Sequence, residues 1–253
     1  MQQQATEIIE AKFQDFSSKY ESLDAEDLIS AANDVFGENL AAFSSFGSYS
    51  PLLLKKISDV NPNIPIVFLE TGKHFSETIE FVETVKNHLG LTNFVELTPD
   101  EKILENADPN GNLWSSNVDR CCWIRKVEPL DRYLENSTVQ AVITGRRSYQ
   151  TAERSEMKKI ELDDQGIIRI NPFALWHKDK IIEQFNQFKL PQHPLVAQGY
   201  PSIGCAPCTS KVKAGEDERA GRWAHVTGSN ADSQQKTECG IHLNREDIKD
   251  FSI

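Results

Sequence analysis

The sequence predicts an α/β domain built on a mainly parallel sheet, and three observations carry that prediction. Short apolar runs, several rich in β-branched residues, alternate with longer stretches of helical period. Turns rich in glycine and hydroxyl side chains follow several of those runs directly, as they do where strands of an open α/β sheet hand over to helices. The chain of 253 residues is long enough to remove roughly 75% of its unfolded surface from water, so no disulfide or metal is needed simply to keep it folded.

Each element has its own signal. Residues 1–38 read as a helical lead-in, with Ile8, Ile9, Phe13, Phe16 and Tyr20 on one helical face and Leu28, Ala31, Ala32, Val35 and Phe36 on another. Strands are expected at residues 40–43, 64–69, 94–97 and 139–144, with a weaker one at 167–170 after the Gln165-Gly166 turn. Helical stretches at residues 51–57, 76–89 and 178–188 alternate with them, which makes residues 39–214 an α/β domain. Beyond Gly199 the chain turns polar, and residues 227–236 offer almost nothing to bury. Residues 215–253 are therefore expected to form a C-terminal tail, mobile unless a ligand holds it.

Composition narrows the partners. With 39% hydrophobic and 26% charged residues and a mean hydropathy of -0.47, the chain is globular rather than disordered or collagen-like. A net charge of -11 argues against nucleic acid and anionic membrane surfaces, which carry the same sign. The first ten residues show neither the basic nor the apolar region of a secretion signal, and no apolar run approaches the ~20 residues of a membrane span. A cytoplasmic location is expected, with no membrane or nucleic-acid partner, and there cysteines stay reduced. The charge is uneven, however: residues 120–159 hold nine basic and five acidic side chains, an excess that suits a small anionic ligand.

Three strand ends offer anion chemistry. Ser44-Ser45-Phe46-Gly47-Ser48-Tyr49-Ser50 follows the first strand and can aim backbone N–H groups at a phosphate, although it lacks the Gly-Lys-Ser/Thr of a Walker loop. Glu70-Thr71-Gly72 repeats the arrangement after the second strand. Gly145-Arg146-Arg147 places guanidinium groups where phosphate or sulfate accepts paired hydrogen bonds. Together these turns predict a nucleotide cleft at the carboxyl ends of the strands.

The five cysteines cannot all pair within one chain. Cys121-Cys122 and Cys205-Ala206-Pro207-Cys208 are compatible with a tetrahedral zinc, a four-iron four-sulfur cluster, a redox dithiol or plain buried thiols. Adjacent cysteines crowd a single tetrahedron but can serve neighbouring irons of a cluster. Cys239 is left over in a polar segment, three residues from His242. A nearby cation lowers a thiol pKa, which makes such a residue a candidate nucleophile.

Six segments of the chain resemble one family. They are Ser45-Phe46-Gly47, Glu70-Thr71-Gly72, Cys121-Cys122 with Ile124-Arg125-Lys126-Val127-Glu128-Pro129-Leu130, residues 199–208, Gly215-Glu216-Asp217-Glu218-Arg219-Ala220-Gly221-Arg222-Trp223, and Glu238-Cys239-Gly240-Ile241-His242. Over residues 40–243 the chain resembles the assimilatory sulfonucleotide reductases, which act on adenylyl sulfate (APS) or phosphoadenylyl sulfate (PAPS), and within them the cluster-bearing bacterial branch.

The resemblance implies an adenine-nucleotide α-hydrolase-like, Rossmann-like fold: a mainly parallel twisted sheet with helices on both faces. It implies an oxidoreductase of sulfate assimilation and cysteine biosynthesis that reduces APS to sulfite and AMP through an S-sulfocysteine, with reduced thioredoxin as electron donor. Carried over residue by residue, Cys239 is the nucleophile, and Cys121, Cys122, Cys205 and Cys208 hold one four-iron four-sulfur cluster. Ser45, Phe46, Gly47, Thr71, Gly72, Lys126, Arg146, Arg147, Arg219, Arg222 and His242 are the substrate-binding residues. Members with both cysteine pairs mostly use APS and those without them PAPS, so APS is the expected substrate, with PAPS or dual use as the alternative. A homo-oligomer is compatible with the chain.

Two positions depart from the family pattern. Ser148 stands where a second arginine is common, which leaves open whether Arg146 or Arg147 meets a phosphate, and Ser48-Tyr49-Ser50 replaces frequent acidic residues. Two rivals make different predictions. An iron–sulfur or zinc regulatory protein keeps its function in Cys239→Ser, and an ATP-pyrophosphatase-type ligase or thiolation enzyme consumes ATP.

Overall fold

The computed structural model describes residues 2–225, 236, 238–241, 245 and 248. Helices α1 (Gln2–Tyr20) and α2 (Ala25–Phe36) lead into strand β1 (Leu40–Phe43), followed by α3 (Ser50–Val60), β2 (Ile66–Leu69), α4 (Ser76–Leu89) and β3 (Phe94–Leu97). Short helices α5 (Glu101–Ala107), α6 (Leu113–Ser116) and α7 (Val118–Cys122) precede α8 (Glu128–Glu135). Strands β4 (Ala141–Thr144), β5 (Ile160–Leu162) and β6 (Ile168–Ile170) and helix α9 (Lys178–Gln187) follow. No described helix is long and apolar enough to cross a membrane.

The six strands form one sheet in the order β3-β2-β1-β4-β6-β5, parallel except for the antiparallel β5–β6 pair. Strand β1 lies between β2 and β4, in register Leu40 with Ala141 and Phe43 with Thr144. The chain thus winds outward from β1 to β3 on one side and places β4 and β6 on the other. The loops leaving β1 and β4 diverge at this switch point, and the crevice they open at the carboxyl ends is where open α/β sheets hold ligands.

Period-two alternation supplies a core on each face. Leu40, Ala42, Phe68, Ala141, Ile143 and Ile170 pack with Phe16 of α1, Leu28 of α2, Leu54 of α3, Phe81 of α4 and Ile181 of α9. Val142 points the opposite way and packs with Leu130 and Leu134 of α8. Helices therefore cover both faces, as expected, and the helical lead-in contributes to the main core.

The structure differs from the expectation in several places. Strand β2 starts at Ile66 rather than at residue 64, because Pro65 has no N–H to donate; its carbonyl accepts from the Ala42 N–H at 2.8 Å. The edge strand β5 gave no sequence signal, since Ile-Glu-Leu is short and half polar. Helices α5 to α8 also lacked a long amphipathic period. Two of them, α5 and α7, are capped locally instead: the Asp100 and Asn117 side chains accept the N–H groups of Ile103 and Arg120, each at 3.0 Å.

Residues 215–223, read from sequence as the start of the tail, pack onto the domain. Ser210 donates its N–H to Gly221 O at 2.8 Å, Trp223 donates to Cys208 O at 3.0 Å, and the Trp223 ring is buried beside the cysteines. The indole brings enough apolar area to anchor an otherwise polar stretch.

His193 secures the loop that leads toward this region. Buried against Phe81, it accepts the Leu195 N–H at Nδ1 (3.2 Å), so Nε2 carries the proton toward Thr78 Oγ1 at 3.0 Å. Burial pushes its pKa down from 6.5 to about 4. A histidine held neutral contributes stability that is full above its unfolded pKa and is lost as pH falls toward the folded value. Urea titrations should therefore show the wild type losing about 3 kcal/mol more than His193→Gln between those two pH values. Parallel pH profiles would contradict this placement.

Candidate active site

The crevice at the switch point is a cleft of about 390 Å³. Ser45 and Gly47 line it from the loop after β1, and Thr71 from the loop after β2. Arg146 and Arg147 come from the loop after β4, Lys126 from the turn before α8, and Arg219 and Arg222 from the segment after Cys208. Cys239 also lines the cleft. Residues from six separated stretches thus meet in one place, and five of those named are cationic. His242 lies outside the described residues.

Two of the expected substrate contacts are not cleft side chains. Phe46 is fully buried, with its ring edge-on to Phe68 at 5.4 Å and to Phe94 at 5.9 Å. Its positive φ of 48° turns the ring into the core while Ser45 and Gly47 on either side face the cleft. Gly72 also lies outside the cleft lining. Its N–H donates to the Glu70 carboxylate at 3.0 Å, and a Cβ there would stand 3.3 Å from Arg125 Nη1.

The structure separates the two adjacent arginines. Arg146 is held by Glu161, with Nη2 2.7 Å from Oε2, and by Asn171, with Nε 3.3 Å from Oδ1; burial still brings its pKa down to about 10. Arg147 has no such carboxylate partner among the hydrogen bonds of the described residues. Its guanidinium lies 5.6 Å from the ring centroids of both Tyr49 and Tyr149, and its buried Nε has no hydrogen-bond partner. Of the pair, both lining the cleft, Arg147 is the one whose guanidinium has no carboxylate hydrogen bond among the described residues.

Arg222 reaches the cleft because position 204 is glycine: a Cβ there would lie 2.3 Å from its Nη2. The guanidinium rests 4.4 Å from the Trp223 ring centroid, a cation–π contact. Burial and neighbouring Arg222 lower the Arg219 pKa to about 10. Arg219 remains a cation at neutral pH.

The other four cysteines line a small adjoining pocket with Trp114, Trp223, Lys126 and Arg125. Cys121 and Cys122 close α7, directly before a wide π turn over Trp123–Val127 that carries Lys126. Such turns insert one extra residue and redirect the side chains around them. Cys205 and Cys208 come from the loop opposite, stapled by the Ala206 N–H to Lys73 O at 2.7 Å. Buried Arg125 ties the two halves together: it donates to Thr71 O at 2.7 Å and to Asp108 Oδ2 at 2.6 Å. Breaking such a pair costs ~3–5 kcal/mol.

Burial pushes the thiol of Cys122 up to about 12 and that of Cys208 up to about 11. Cys205 goes the other way, because Lys126, the Thr71 hydroxyl at 3.4 Å and Arg222 together outweigh its burial. Lys126 in turn stays charged: burial opposes its charge, but the sulfurs of Cys205, Cys239 and Cys122 outweigh that penalty. Lys126 lines both pockets and links the cysteine group to the cleft. Cys239 packs against the cysteine group from the cleft side. Among the described residues no three His, Cys, Asp or Glu side chains are placed to hold a single metal ion.

The phosphoadenosine phosphosulfate reductase domain model matches residues 39–211. The chain belongs to this family. Similar members include the adenosine 5'-phosphosulfate reductase of Mesorhizobium japonicum, 43% identical over 84% of this chain and 80% of that protein. The adenosine 5'-phosphosulfate reductase of Chelativorans sp. is 41% identical over 90% of both. Among solved structures, the phosphoadenylyl-sulfate (PAPS) reductase from Candida auris, in a phosphate complex, superposes with a TM-score of 0.66 at 27% identity, covering 79% of this chain and 96% of that one. The family match covers the α/β domain and both cysteine pairs, and stops short of Arg219, Arg222 and Cys239.

Sequence reasoning missed Arg154, Glu238, Tyr49 and Tyr149, all of which line the cleft. For the tyrosines the signal was their position one residue from Ser48 and two from Arg147; for Glu238, its adjacency to Cys239. Arg154 stood out only as one of the nine basic residues in 120–159.

The two arginines should separate in a thermal-shift titration with sulfate. Arg147→Gln should weaken the protection by roughly tenfold or more in apparent affinity, the worth of hydrogen bonds to a charged group. Arg146→Gln should lower the melting temperature without sulfate, because Glu161 loses its partner, and keep the response to the anion. The reverse pattern would contradict the assignment.

Proposed function

We propose that this chain reduces adenosine 5'-phosphosulfate to sulfite and AMP, with reduced thioredoxin as the electron donor, in sulfate assimilation toward cysteine. The observation that carries the reading is the position of Cys239, a half-buried thiol in a cleft that also holds Lys126, Arg147, Arg219 and Arg222. The cations suit a substrate that carries both a sulfate and a phosphate, and they stabilise negative charge that builds on the leaving oxygen.

The chemistry balances with thiols alone. The Cys239 sulfur attacks the sulfate sulfur; a sulfur–sulfur bond forms, the bond from sulfur to the bridging phosphate oxygen breaks, and AMP leaves. One thioredoxin thiolate then attacks the Cys239 sulfur and expels sulfite, and the second thiol of the donor closes its disulfide and frees the Cys239 thiol. Lys126, Arg219 and Arg222 bind the sulfate end during the first step, and Arg147 binds the phosphate end. Free thiols are required throughout, which fits a reducing cytoplasm.

Cys121, Cys122, Cys205 and Cys208 fit a four-iron four-sulfur cluster. Four buried thiols line one small apolar pocket beside three cations, Lys73, Arg125 and Lys126, and a cluster offers separate iron vertices to the adjacent Cys121 and Cys122. When bound, the cluster supplies a compact charge next to Lys126 and so orders the sulfate end of the cleft. APS is favoured over PAPS by this ligand set and by the names of the relatives at 43% and 41% identity.

The test is a side-by-side assay of APS and PAPS with reduced thioredoxin on anaerobically purified protein. Sulfite should form faster from APS, and equal rates would make the substrate assignment wrong. Cys239→Ser should reduce sulfite formation to background while the visible absorbance of the cluster persists. Turnover in that variant would overturn the reading.

A further inference from the structure

Glu238 is out of place in a site that gathers anions. A carboxylate next to a nucleophilic thiolate and an anionic substrate repels both, and burial makes the repulsion stronger. Its side chain is only 7% exposed, and that of its partner Arg154 only 10%. Arg154 Nε donates to Glu238 Oε1 at 2.6 Å and Nη2 donates to Oε2 at 2.8 Å, a bidentate pair joining residues 84 positions apart. The third arm of the guanidinium, Nη1, donates to Gln150 Oε1 at 2.5 Å, and the same oxygen accepts the Arg147 N–H at 3.1 Å. The carboxylate is thus neutralised, and the segment it belongs to is tied to the loop that presents Arg147.

The other side of Cys239 is seated differently. Gly240 turns at φ 91°, and Ile241 packs with the α8-side core while its carbonyl accepts from Arg169 Nη2 at 3.4 Å. A Cβ on Gly240 would come within 3.1 Å of Val127. Cys239 therefore lies between the Arg154–Glu238 pair on one side and, on the other, the packed Ile241 together with Arg245, which donates to Gly240 O at 3.3 Å and pairs with Asp131.

We propose that Arg154 and Glu238 are positioning residues for Cys239: their ion pair fixes the thiol-bearing segment on the anion-binding loop, so that the sulfur is already in the cleft when substrate arrives. This rests on the reading of Cys239 as the nucleophile. Neither residue touches the reacting atoms. Arg154 differs from Arg147 in this respect, because its fork is committed to Glu238 and Gln150.

The experiment compares wild type with Glu238→Gln, Arg154→Met and the double variant as full-length proteins. The double variant removes both charges together, so it avoids leaving a buried charge unpaired and remains informative where a single variant fails to fold. Three quantities are read: the rate at which iodoacetamide alkylates Cys239 without substrate, followed by peptide mass spectrometry; the burst of AMP released from saturating APS without thioredoxin; and the affinity for AMP.

Alkylation should rise roughly 30-fold, the consequence of losing a buried hydrogen-bonded charge pair. The burst should slow by ~100-fold, as misplacement of a reacting group predicts. AMP affinity should not change, and the double variant should be no slower than the slower single one, because the pair acts as a unit. Wild-type alkylation and burst rates in the double variant would overturn the proposal, as would a loss of AMP affinity that accounts for the slower burst. If the wild type releases no AMP from APS, the functional reading fails, and the alkylation rates still decide whether the pair holds the thiol in place.

Discussion

Positive charge crowded into one poorly hydrated cleft is the constraint around which the rest of this structure is arranged. Lys126, Arg146, Arg147, Arg219 and Arg222 all reach the carboxyl edge of the sheet, and burial by itself disfavours the charges of the first four. Each is accommodated in its own way. Arg146 has Glu161, Arg147 lies between two tyrosine rings, Arg222 rests on Trp223 with Arg219 6.0 Å from the same ring, and Lys126 sits among sulfurs. Such a cleft favours an anion at short range even though the whole chain carries -11, because charge beyond a Debye length of ~8 Å is largely screened.

The fold brings these groups together by topology rather than by sequence proximity. Strand β1 has β2 on one side and β4 on the other, so the loops after β1 and β4 open toward the same crevice. The cysteine pocket is attached to that crevice at two points. Thr71, after β2, touches Cys205, and Lys126, one π turn past Cys122, borders both spaces. Buried Arg125 with Asp108 holds this junction in register. A centre bound by the four thiols would therefore act on the cleft through Lys126 at close range.

Much of this was legible in the sequence where the signal was periodic or chemical. Residues 76–89 read as a helix with the bounds observed for α4, because apolar residues recur with helical spacing up to Gly90. Cysteines and arginines announced themselves by type. What stayed hidden was direction and distance. Arg146 and Arg147 are neighbours, and only the backbone path after β4 decides which one turns to Glu161. Phe46 lies inside the turn expected to bind an anion, yet its left-handed φ sends the ring into the core. Arg154 and Glu238 meet across 84 residues, a separation that no local spacing rule spans. Short helices such as α5 and α7, whose first turns are held by the side chains of Asp100 and Asn117, lack the length for a periodic signal.

The central claim is that the cationic cleft delivers a sulfonyl group to one particular sulfur of the five. The most direct measurement is peptide mass mapping of the anaerobic protein after one equivalent of APS, with no reductant present. The account requires a sulfonate adduct on Cys239 and on no other cysteine, removed when reduced thioredoxin is added. An adduct on Cys121, Cys122, Cys205 or Cys208, or AMP release with Cys239 unmodified, would contradict it.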